Sequence, residues 1–126
     1  MTEPAYKVTF EARKDYLHAL VTGERDSYDV TMGAVTDIAA ACKVRGTKKL
    51  LVEHKISGRL STLDIYKIAS QLPDLFEGVA VAFVIHLTVT PENPEFLENV
   101  ARNRGGEGRL FVDPAAADAW LRSLGP

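Results

Sequence analysis

The sequence predicts an α/β domain: a five-stranded mixed sheet, one strand antiparallel, with four helices. Three observations lead there. Two strand-like runs with a short polar break open the chain, and helical stripes then alternate with short apolar strands up to the end. A parallel sheet with right-handed crossovers follows from that alternation, and the opening hairpin adds the antiparallel strand. The 126 residues suit one domain spanning 1–126 with one sizeable core.

In the hairpin, Tyr6, Val8 and Phe10 alternate with polar neighbours, and Arg13-Lys14-Asp15 breaks the pattern. Tyr16 to Thr22 follows with Leu17, Ala19 and Val21 on one face, and Gly23 ends it. The period then changes. Val35, Ile38, Ala39 and Cys42 form a helical stripe, with Asp26 or Ser27 as cap and Gly46 suited to the left-handed position past its end. Leu50 to His54 reads as a short buried strand. Ser61 opens the second helix, with Asp64 completing a variant capping box and Ile65, Ile68, Ala69 and Leu72 facing inward. Pro73 marks an end or a kink.

Val79 to His86 is nearly all apolar, as expected of a strand covered on both faces, so Val81, Phe83 and Ile85 should be inaccessible. Asn93 and Pro94 open a helix carrying Phe96, Leu97, Val100 and Ala101, which Gly105-Gly106 closes. Arg109 to Val112 is the last strand. Asp113-Pro114 starts a final helix with Ala117, Trp120, Leu121 and Leu124 inward.

Fifteen basic and seventeen acidic residues give a net charge of −2, which excludes a basic nucleic-acid footprint at the level of the whole chain. The longest apolar run, Val79 to Ile85, has seven residues and is far too short for a membrane span. Cys42 is the single cysteine, which excludes an intramolecular disulfide and any multi-cysteine metal site. Met1-Thr2-Glu3-Pro4 lacks the design of a signal peptide, and a reducing cytoplasmic setting is expected.

Tyr16-Leu17, Val21-Thr22-Gly23, Lys49-Leu50-Leu51-Val52-Glu53, Val79-Ala80-Val81, Arg109-Leu110-Phe111-Val112-Asp113 and Ala119-Trp120-Leu121 carry a resemblance. With the order of elements, they resemble the STAS-type fold of bacterial anti-sigma factor antagonists. More closely, they resemble a bacterial branch of uncharacterised function described as STAS-like, SpoIIAA-like or CRAL-TRIO-like. The resemblance covers residues 6–124. It implies parallel strands side by side in sequence order, and a role in binding proteins or small ligands rather than in catalysis. The antagonist branch carries a phosphorylated serine in an Asp-Ser-Ser/Thr-Gly motif, which would fall near Ser61-Thr62-Leu63-Asp64. Here the acid before the hydroxyl and the glycine after it are missing, a departure that argues against a kinase-operated switch.

Ligands of parallel sheets sit at the carboxyl ends of the strands. There the segment from Lys55 to Thr62 is the most informative: Lys55, Ser57, Gly58, Arg59, Ser61 and Thr62 put cations, hydroxyls and a glycine beside the positive end of a helix. They are the candidate residues for binding a protein partner or a small, anionic ligand. The bland alternative is a cap, a turn and solvated cations. His54 and His86 end strands that should be neighbours, with His18 nearby. Glu53 alternates to the face opposite His54, so no metal site or catalytic set is expected. Cys42 falls on an apolar stripe as a structural thiol. Gly105-Gly106-Glu107-Gly108 joins a helix to a strand, the wrong edge for a dinucleotide. No cofactor is expected.

A non-enzymatic binding module is therefore the leading reading. An apolar-ligand or lipid carrier of CRAL-TRIO type and a small enzyme using a strand-end histidine follow it. Self-association as a homodimer is expected if the first hairpin strand, with Tyr6, Val8 and Phe10, lies at a sheet edge.

Overall fold

A computed structural model describes residues 6–24, 27–56, 61–85, 107–111 and 113–124. The described elements are β1 (Tyr6–Ala12), β2 (Leu17–Gly23), α1 (Tyr28–Arg45), β3 (Lys49–Ile56), α2 (Thr62–Leu75), β4 (Ala80–Ile85), β5 (Glu107–Phe111) and α3 (Pro114–Ser123). The five strands form one sheet in the order β1-β2-β3-β4-β5. β1 and β2 are antiparallel, and the other pairs are parallel. The mixed sheet with one antiparallel strand is the one the alternation predicts. Three helices rather than four are seen among the described residues; the helix expected from Pro94 lies outside them.

The local signals act where expected. Ser27 is the cap of α1, its Oγ accepting from the Val30 amide at 3.1 Å. Gly46 takes the left-handed conformation at φ 67, where a side chain would be strained, and its N–H closes the helix on Cys42 and Lys43 carbonyls. Gly33 lets α1 pass close to β1, since a Cβ there would meet the Tyr6 ring at 3.0 Å. Tyr6 in turn donates its hydroxyl to Asp37. Pro73 does not end α2 but sits in its last turn, which runs on to Leu75. The N–H that proline lacks would serve only the Ala69 carbonyl, so one bond is lost near an end that frays in any case.

The pleat divides the core in two. On one face, α1 and α2 cover Leu17, Ala19, Val21, Leu50, Val52, Ile56 and Val81, with Ile38 and Cys42 buried against them. Burial pushes the Cys42 thiol pKa up, which keeps it protonated and unreactive. On the other face, α3 packs Ala117 and Leu121 on Leu51, Ala80, Ala82 and Val84. Trp120 of α3 meets Phe111 of β5, ring centroids 5.9 Å apart. Val81 is buried as expected, but Phe83 is only half-buried. It lies on the α2 side, where its ring and that of Phe76 pack edge to face with centroids 6.4 Å apart. The side chain of Ile85 lies outside the described residues.

A polar cluster pins the hairpin turn to α3. Tyr16 Oη donates to Asp118 Oδ1 at 2.6 Å, Arg13 Nη1 donates to Tyr16 Oη at 3.1 Å, and Arg122 pairs with Asp118 one turn away at 3.0 Å. The Tyr16 hydroxyl, and then Arg122, hold the Asp118 carboxyl below the ordinary aspartate range. The contribution of Asp118 is thus present above its ordinary pKa, and is lost only as the pH falls through the lower folded-state value. Among the described residues, no helix is long and apolar enough to cross a membrane.

Candidate functional site

Of the six residues expected at the carboxyl end of β3, the structure places two side chains. Lys55 is exposed at the end of β3, with Nζ 3.9 Å from Glu53 Oε2. Ser61 is the cap of α2, its Oγ accepting from the Asp64 amide at 3.1 Å. Ser57, Gly58 and Arg59 lie outside the described residues, as does the side chain of Thr62. At Ser61 the plain capping role holds: its hydroxyl oxygen satisfies one of the unpaired amides of the first turn. Asp64 also brings a carboxylate to the positive end of the helix, which weakens the case for a bound anion there.

The sequence reading missed the apolar part of this corner. Leu63 is 61 % exposed and Tyr66 is 41 % exposed. Spaced i and i+3, they are neighbours on the surface of α2 immediately after Ser61. The signal was present, because both fall off the Ile65, Ile68, Ala69, Leu72 stripe. A leucine and a tyrosine outside the buried stripe of a short amphipathic helix offer apolar surface to the outside.

A second omission lies on the sheet. His18 Nε2 stands 2.6 Å from Glu53 Oε1, with the two side chains 9 % and 14 % exposed. A carboxylate only accepts, so Nε2 carries the proton of this bond. Parallel pairing sets His18 beside Leu51 and Leu20 beside Glu53, so His18 and Glu53 are diagonal neighbours on the α3 side. His54 points to the other face, where its Nε2 is 3.4 Å from Thr31 Oγ1 of α1. The two histidines are therefore separated by the sheet and cannot converge on one reacting atom. His86 lies outside the described residues. Among the described residues, no three metal-ligating side chains gather. Enclosed as it is, the His18–Glu53 pair acts as a polar crosslink between β2 and β3.

No family model matches the sequence, and no curated protein matches it significantly. Solved structures do match. The chain is similar to an anti-sigma factor antagonist from Mycobacterium paratuberculosis, with a TM-score of 0.60 and 15 % identity, covering 97 % of this chain and 98 % of the other. It is also similar to an uncharacterised protein of the DUF3478 family with a SpoIIAA-like fold from Shewanella loihica. There the TM-score is 0.52 and the identity 14 %, covering 96 % of this chain and 97 % of the other. The chain thus has the SpoIIAA-like, STAS-type fold, as the resemblance in its sequence implied. At such identities the likeness carries the fold, and function has to be argued from the surface.

Proposed function

We propose that the chain, acting as a single cytoplasmic domain, is a non-enzymatic regulatory module that binds a protein partner where β3 ends and α2 begins. The observation that carries this reading is the exposure of Leu63 and Tyr66 in the first turns of α2, next to its cap Ser61. Aromatic and aliphatic anchors ringed by polar groups are what a protein interface needs at its centre. A small anion would find the Ser61 oxygen engaged and the Asp64 carboxylate in its way, so a protein partner suits this corner better. The fold it shares with an anti-sigma factor antagonist supports a partner that is itself regulatory. Lys55, Ser57, Gly58, Arg59 and Thr62, in the stretch of chain that leads into α2, remain the polar candidates beside these anchors.

Affinity capture from a lysate of the source organism, with the partner identified by mass spectrometry, tests this. Leu63→Ser/Tyr66→Ala should weaken capture by at least about tenfold, as for interface anchors. The Lys55→Ala/Arg59→Ala variant should weaken it less, because apolar anchors carry most of the affinity of such an interface. Thermal unfolding of each variant checks that a loss of capture is not a loss of fold. Equal capture by wild type and the Leu63/Tyr66 variant would move the interface elsewhere.

β1 forms an edge of the sheet, which supports self-association of two copies through that strand. Sedimentation should then show a mass that rises with concentration. A strictly monomeric mass at high micromolar concentration would end the idea.

A further inference from the structure

At the opposite end of the sheet, where β2 and β3 begin, the β1–β2 turn and the α1–β3 loop form the walls of a cleft of about 470 Å³. Its lining includes Arg13, Lys14, Arg45, Lys48 and Lys49, against a single acid, Asp15. Five cations and one carboxylate in so small an area contrast with a chain whose net charge is −2. We propose that this cleft is a second binding site, which takes an acidic peptide segment of a partner protein.

The cations are not equally committed. Lys49 donates to the Leu124 carbonyl at 2.7 Å, and Arg13 is held by Tyr16 and Glu11. Arg45 lies over the Phe10 ring, 5.5 Å from its centroid. Asp15 faces Arg122 at 3.6 Å, so its charge is shared with a residue of α3. Lys14 and Lys48 are exposed, one on each wall, and have no ion pair among the described residues. The α1 carbonyls of Cys42 and Lys43, which would repel an anion, are already bonded by the Gly46 and Thr47 amides.

Charge complementarity therefore calls for carboxylates spaced so that they meet both walls. The two ring-bearing or large apolar lining residues, Tyr16 and Leu17, are buried at 5 % exposure each, so no open aromatic platform awaits a nucleobase. A long polyanion would also run beyond the cleft onto a surface of net negative charge. An acidic peptide needs neither stacking nor a continuous basic track.

The test uses a fluorescein-labelled ten-residue glutamate-rich peptide and fluorescence anisotropy on the full chain. Saturable binding that weakens with added salt is expected. Lys14→Glu/Lys48→Glu should weaken it by at least about tenfold, whereas Lys67→Glu on α2 should leave it unchanged. If the charge reversal lowers the melting temperature, Lys14→Gln/Lys48→Gln serves in its place, with a smaller loss of the same sign. The proposal is overturned if the peptide does not bind, or if both lysine variants bind it as wild type does. It is also overturned if tripolyphosphate or an oligodeoxythymidylate of equal charge binds more tightly, which would assign the cleft to phosphates.

Discussion

Leu51→Ala should lower the free energy of unfolding by about 2–5 kcal/mol, the range for deleting a buried aliphatic side chain. The upper half of that range is expected here for a geometric reason. Leu51 is 1 % exposed and belongs to β3, the middle strand of five. It is paired with His18 on one side and Ala82 on the other, and Ala117 and Leu121 of α3 lie in its cluster. Alanines cannot swing into the void, and the two flanking strands hold the backbone in place, so the cavity stays open. Urea unfolding should show a lower midpoint with an unchanged slope. A loss below about 1 kcal/mol would mean that α3 collapses onto the gap, contrary to the packing described.

Glu53→Ala should cost about 1–3 kcal/mol, the usual penalty for leaving a buried donor without its acceptor. The donor is His18 Nε2, whose side chain is 9 % exposed and bonded at 2.6 Å. Glu53→Gln keeps an oxygen in reach and should recover part of the loss. Glu53→Met fills a similar space without an oxygen, so comparing it with Glu53→Gln separates a hydrogen-bonded crosslink from mere bulk. Equal destabilisation by the two variants would show that charge, not the acceptor, is what matters.

The elements were legible where periodicity meets a buried face. Leu17, Ala19 and Val21 alternate, and Val35, Ile38, Ala39 and Cys42 recur at helical spacing, because each set covers one side of the core. Ser27, Ser61, Asp113 and Gly46 then mark helix ends through local bonds that a sequence can show directly. Phe83 was misjudged because strand composition says nothing about how far a covering helix extends along the sheet. The His18–Glu53 pair depends on the register of two strands 35 residues apart, which no local pattern encodes. The basic cleft escaped for the same reason: Arg13 and Lys14 come from one turn, and Arg45 to Lys49 from another. At the candidate site, hydroxyls and cations drew the reading toward an anion, while the exposed Leu63 and Tyr66 were overlooked.

Backbone amide hydrogen exchange, compared for the chain alone and saturated with its captured partner, tests the central claim most directly. Exchange should slow in residues 61–67 at the start of α2, and should be unchanged in β5 (Glu107–Phe111) at the far edge of the sheet. Protection confined to that edge, with residues 61–67 exchanging as in the free chain, would contradict a protein-binding module that works through the β3–α2 corner.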